Sequence, residues 1–147
     1  MAGAPDCDVA IIGTGFSGSM AMAHLVAGAR APFRIILIDP SPYPHKGVAY
    51  ATKRPEHWLN VRARNMSAFA DQPDHFVRWL ESAAGKKARA KFGITENYTP
   101  DSFVSRCLYG EYVQEIARQA FADAAAKGIE VAHWREQVSE ITPELLV

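Results

Sequence analysis

Residues 9–22 read VAIIGTGFSGSMAM: four apolar residues, three glycines within six positions, then small and apolar residues again. Glycine inside a helix or strand costs roughly 0.5–1 kcal/mol relative to alanine, because its backbone loses more freedom on folding. Gly13, Gly15 and Gly18 stand where a strand is about to become a helix, so each needs a compensating job. In the spacing GxGxxG the first glycine allows the tight turn and the second lets a pyrophosphate approach the backbone. The third lets helix and strand pack closely. The helix N-terminus then presents free N–H groups and the positive end of its dipole to an anion, with no lysine required.

This reading makes two further demands on the chain. The glycines must sit inside a strand–helix–strand unit. Val9-Ala10-Ile11-Ile12 is a continuous apolar run of the kind buried in a parallel sheet. Ser17 to Ala27 reads as a helix ending near Gly28, and Pro32 breaks the chain. Arg34-Ile35-Ile36-Leu37-Ile38-Asp39 is a second buried strand, closed by the turn-rich PSPYP. An acid must also end the second strand to accept hydrogen bonds from an adenosine ribose. Asp39 lies 21 residues beyond Gly18, against an expectation of about 20. Phe16 and Ser17 inside the motif, and Pro40 beside Asp39, are counted with these as cofactor-binding positions. The competing account, a glycine turn with an N-capping aspartate, needs no ligand.

From Ser41 to about Arg64 the chain shows little periodicity. Asp71-Gln72-Pro73-Asp74 starts a helix with Phe76, Trp79, Leu80 and Ala83 at helical spacing, and Gly85 is expected to stop it. GKKARAK reads as a solvated loop or helix end. A long helix spans roughly Arg106 to Lys127, with Tyr109 and Tyr112 on its core face and Gly128 as its cap. Ile129 to Trp134 alternates like a third strand, and Gln137 to Ile141 is a candidate fourth. Asp39 and Ile129 stand 90 positions apart, which exceeds a simple crossover. That length favours FAD, whose domains carry insertions after the second strand, over a plain NAD domain.

Several short motifs follow the glycines in a fixed order: Gly47-Val48-Ala49-Tyr50, His57-Trp58-Leu59-Asn60-Val61, Met66-Ser67, Asp74-His75-Phe76 with Trp79-Leu80, and Arg106-Cys107-Leu108-Tyr109-Gly110-Glu111-Tyr112. In this combination the chain resembles the bacterial FAD/NAD(P)-binding family that includes flavin-dependent urate hydroxylases, over about Val9 to Val138. The resemblance implies an α/β fold: a Rossmann-like parallel sheet of the glutathione-reductase type, with a helix-rich insertion at about 41–127. It implies FAD as cofactor and NAD(P)H as co-substrate of a monooxygenase. Gly13, Gly15 and Gly18 would meet the pyrophosphate and Asp39 the ribose. Gly47, Val48 and Ala49, with Leu59, Asn60 and Val61, would line the flavin side, and Val138 would be the strand residue whose backbone meets the adenine. Arg106 is open between a pyrophosphate contact and an ion pair across a helix. Met22 departs from the alanine usual in the family, which would set the helix farther from the strand. Ser105 replaces a common proline but can cap the helix it precedes. Relatives continue with a hairpin and a second domain where this chain reaches Thr142 to Val147, so residues 1–147 are expected to be the front portion of a longer enzyme, incomplete at the C-terminus. A non-catalytic dinucleotide-binding module, or an inactive fragment, is the alternative.

Composition bounds the rest. Sixteen basic and sixteen acidic residues give no net charge, which removes the usual electrostatic case for nucleic acid or an anionic membrane. Cys7 and Cys107 form neither a CxxC nor a metal spacing and read as free thiols. No signal peptide or apolar run of about 18 residues is present, so a cytoplasmic protein is expected. His45, His57 and Arg62 fall near the flavin region, the histidines more naturally as hydrogen-bonded loop residues than as proton donors. The substrate, a small molecule, is not legible.

Overall fold

The β-branched runs pair as their composition demands. In a computed structural model, which describes residues 7–142, β1 (Val9–Ile12), β2 (Arg34–Ile38) and a later strand, Glu130–Trp134, form an all-parallel sheet with β2 in the centre. Val9 stands opposite Ile35, and Ile35 opposite Val131. Between the first two strands runs α1 (Phe16–Gly28), as the glycine spacing requires.

The excursion after β2 holds α2 (Gly47–Tyr50), β3 (Trp58–Arg62), a 3-10 turn at Ala63–Asn65, α3 (His75–Glu81), α4 (Ala83–Lys91), β4 (Phe103–Ser105) and α5 (Arg106–Ala126). The third sheet strand, β5 (Glu130–Trp134), follows. β3 and β4 pair antiparallel, Trp58 opposite Ser105 and Arg62 opposite Phe103. This small sheet was invisible to periodicity because β4 has three residues and β3 does not alternate.

Two cores meet along α5, a helix of 21 residues and so about 31 Å long. Its second half, Ala117, Ala120 and Ala124, packs with Met22 and Val26 of α1 and with Ile35 and Leu37 of β2. Its first half, Cys107 to Ile116, packs with Leu59, Phe76, Trp79, Leu80 and Val104. Tyr109 and Tyr112 are core residues, their rings 5.1 and 4.9 Å from Phe76. The Tyr112 hydroxyl accepts the Ala68 N–H at 3.2 Å and bonds His75 Nδ1 at 2.7 Å. The helices cover the sheet face that carries Ile35 and Leu37. On the opposite face Ile12 is 51% exposed.

Three expectations are corrected. Gly85 does not stop α3. The break falls at Ser82, whose backbone is extended and whose hydroxyl caps α4 by accepting from Gly85 N–H at 3.2 Å. Gly85 is needed because a Cβ there would lie 2.2 Å from the Trp79 carbonyl. GKKARAK is helical within α4, since alanine, lysine and arginine are strong helix formers once capped. Gln137–Ile141 forms no strand: its backbone is irregular and no described residue pairs with it. Val138 is therefore not a strand residue. The segment from Pro143, where relatives would begin a hairpin, lies outside the described residues.

Candidate functional site

The glycine loop joins the ends of β1 and β2 to the start of α1. Gly13 has φ +87°, a left-handed conformation that other residues avoid, and its N–H donates to the Ile38 carbonyl at 2.8 Å. Gly18 has no room for a side chain: a Cβ would stand 1.9 Å from the Gly13 carbonyl oxygen and 3.2 Å from Ile11 Cγ2. Helix and strand therefore touch at Gly18, and Met22 is fully buried in the sheet core.

Gly15 is the N-cap of α1 and leaves the helix without a side-chain cap, and no acidic residue occupies the first turn. A helix end in this state is ready for an anion. The direction of the missing Gly15 side chain is not empty, however. A Cβ there would meet Gly47 Cα at 3.5 Å, and a Cβ on Gly47 (φ +60°) would stand 3.1 Å from Gly15 Cα. The two glycines let α2 lie against the start of α1, so a bulky residue at Gly15 would displace α2 as well as any phosphate. Phe16 turns inward, its ring 6.1 Å from Tyr109, while Ser17 is exposed.

Asp39 faces the loop directly. Its Oδ2 accepts the Thr14 N–H at 2.5 Å and the Thr14 hydroxyl at 3.0 Å, and its Oδ1 accepts the Ser41 N–H at 2.8 Å. Burial works to raise its pKa, but these bonds from Thr14 and Ser41 outweigh it and hold the carboxyl below its usual value. Pro40 beside it is exposed.

A second chain of bonds ties the loop to the segment before α2. The Ser19 hydroxyl donates to the Thr14 carbonyl at 3.1 Å and meets His45 Nδ1 at 3.0 Å. With the serine proton so used, His45 Nδ1 carries the proton given to Ser19. Burial, with a smaller push from His133, drives the His45 pKa down to about 4, so the ring is neutral at physiological pH. His45 itself has φ +69°. Next to it, buried Lys46 donates to Glu111 Oε1 at 2.5 Å, and Lys91 reaches the same oxygen at 2.9 Å. Burial opposes the Glu111 charge, yet the two lysines hold its pKa below the usual range. This pins α2 to α5. Gly110 allows the approach, since a Cβ there would stand 2.4 Å from the Tyr50 carbonyl.

The structure thus brings together Gly13, Gly15, Gly18, Asp39 and Gly47. Val48 and Ala49 follow on α2 with exposed side chains. Leu59 is buried in the core that also receives Phe16, whereas Asn60 and Val61 are exposed on β3. Arg106 makes no ion pair among the described residues. Its Nε donates to the Trp58 carbonyl at 2.9 Å and its N–H to the His57 carbonyl at 2.7 Å, fastening α5 to β3. Ser105 sits at the N-cap of α5, but its hydroxyl donates to the Pro55 carbonyl and does not cap the helix. Val138 lies in irregular chain.

A cleft of about 530 Å³ lies between Pro55–Trp58 and Ile94–Phe103, and it shares no lining residue with the glycine loop. The uncapped start of α1 and the carboxylate at the end of β2 lie outside this cleft. Among the described residues no cluster of acids, histidines and cysteines could hold a metal ion, and no helix is long and apolar enough to cross a membrane.

A family model described as FAD-NAD(P)-binding matches residues 10–145, nearly the whole chain. The chain belongs to the FAD-NAD(P)-binding family. A search of the curated proteins gave no match. Membership of the FAD-NAD(P)-binding family accords with the geometry of the loop: a tight glycine turn, a helix N-terminus without a cap, and an acid at the end of β2. Thr14, between the first two glycines, holds Asp39 through its N–H and its hydroxyl, and with the two residues 25 positions apart the pairing has no local signal. Lys46–Glu111 had no local signal, its partners being 65 positions apart.

Proposed function

We propose that this chain is the FAD-binding part of a flavin-dependent oxidoreductase, a monooxygenase that takes electrons from NAD(P)H and uses oxygen on a small-molecule substrate. The observation that carries the reading is the junction of the uncapped α1 start with Asp39, one hydrogen bond away through the Thr14 N–H. A pyrophosphate suits the first turn of α1, and an adenosine ribose suits Asp39. The long insertion between β2 and β5 favours FAD over a plain NAD domain.

When bound, the flavin supplies the electron transfer, while the protein supplies position and electrostatics. Gly13 to Gly18 would hold the pyrophosphate and Asp39 the ribose. Gly47, Val48 and Ala49, with Leu59, Asn60 and Val61, are the positions assigned to the flavin side, of which Leu59 is buried in the core. Lys46 and Glu111 fix α2, and Ser19 and His45 fix the loop before it, so these residues orient the site without touching the reacting atoms.

The test is reconstitution with FAD followed by addition of NADH or NADPH in air. Retained flavin with oxygen consumption supports the oxidoreductase. Retained flavin without turnover reduces the protein to a dinucleotide-binding module. Failure to retain FAD removes the reading.

A further inference from the structure

The Asp39 carboxylate is already largely used. An ionised carboxylate has about four acceptor positions, two on each oxygen. Thr14 fills both positions of Oδ2, with its N–H at 2.5 Å and its hydroxyl at 3.0 Å, and the Ser41 N–H takes one position of Oδ1 at 2.8 Å. Among the described residues one position is left, on Oδ1. Thr14 is fully buried, and its backbone is fixed by the bonds of Gly13 to Ile38 and of Ser19 to the Thr14 carbonyl. Rotating the carboxylate to free Oδ2 would break the two bonds from Thr14.

We propose that Thr14 is a positioning residue that leaves Asp39 able to accept one hydroxyl of an adenosine ribose and not the vicinal pair. This rests on the adenosine reading of the site and sharpens it: the protein senses one of the two ribose hydroxyls and is nearly indifferent to the other. The ligand class is therefore an adenine nucleotide with a diphosphate, in which removal of one particular ribose hydroxyl is tolerated.

Calorimetric titration of the full chain with ADP, 2′-deoxy-ADP and 3′-deoxy-ADP tests this. A hydrogen bond to a charged acceptor is worth about a tenfold or greater change in affinity. The wild type should lose at least about tenfold with one deoxy analogue and less than about twofold with the other. In Thr14→Ala, which removes the hydroxyl and leaves its space open, the freed Oδ2 position should make both hydroxyls matter, so both analogues lose affinity. Thr14→Ser, which keeps the hydroxyl, should restore the one-sided pattern. A purely structural role for Thr14 would change all three affinities together and leave their ratios alone. Equal losses with both analogues in the wild type overturn the inference while leaving the adenosine reading in place, as does a Thr14→Ala ratio identical to wild type. Absence of ADP binding to the wild type overturns both.

Discussion

Gly18→Ala puts one methyl group into the tightest contact of the site. The new Cβ would stand 1.9 Å from the Gly13 carbonyl oxygen, whereas an ordinary C···O contact is about 3.3 Å, so α1 must retreat from β1 by about 1.4 Å. The carbonyl cannot yield instead, because the Thr14 N–H of the same peptide unit is held by Asp39 Oδ2 at 2.5 Å. Retreat loosens Met22 and Val26, which α1 buries against Ile35 and Leu37. Overpacking of this kind costs about 1–3 kcal/mol. At a urea m-value of about 2 kcal/mol/M, the unfolding midpoint falls by roughly 0.5–1.5 M. The first-turn N–H groups move with the helix, so ADP affinity should fall at least about tenfold. Gly28→Ala is the control: nothing lies within 4 Å of its Cβ position, and alanine there should stabilise by up to about 1 kcal/mol. A Gly18→Ala protein within about 0.5 kcal/mol of wild type, with unchanged ADP affinity, would refute the account of this contact.

Three further outcomes follow from the same geometry. His45 titrates at about 4 in the fold and at about 6.5 when unfolded, so its stabilising effect is full above pH 6.5 and fades as pH falls towards 4. His45→Asn, which tolerates the left-handed backbone, should flatten the urea midpoint across that window; an unchanged pH dependence would exclude His45 as its source. Glu111→Gln leaves the buried Lys46 ammonium without its counter-charge and should cost about 3 kcal/mol, most of it regained in Lys46→Met/Glu111→Leu. A loss below about 1 kcal/mol in the single variant would mean that solvent screens the pair. The outer edge of β1 is unpaired among the described residues and Ile12 is exposed, so the 147-residue chain should self-associate and Ile12→Lys should reduce this on sizing chromatography; a monomer at all concentrations would count against the open edge.

How much of this was legible depended on distance along the chain. β1, α1 and β2 could be read because apolar runs, glycine spacing and the position of Asp39 are local patterns, each tied to a backbone requirement. The long helix α5 was legible for the same reason, through its period and its Gly128 cap. β3 and β4 were not, because a three-residue strand has no period and its partner lies some forty residues away. Gly85 was misread because a glycine that stops a helix and a glycine that lets two helices touch look alike in sequence. Arg106 was read for its charge, while the fold uses it to donate to a backbone carbonyl of β3. Gln137–Ile141 shows the converse: an apolar residue here and there is not enough for a strand, and no described residue pairs with this segment.

The most direct test of the central claim compares FAD, ADP and FMN by calorimetric titration. In the proposed function Gly13–Gly18 and Asp39 hold the adenosine and pyrophosphate, which FAD and ADP share and FMN lacks. The account predicts that FAD and ADP bind and that FMN binds at least about a hundredfold more weakly, a difference of about 2.7 kcal/mol. FMN binding as tightly as FAD, or no binding of ADP, would contradict it.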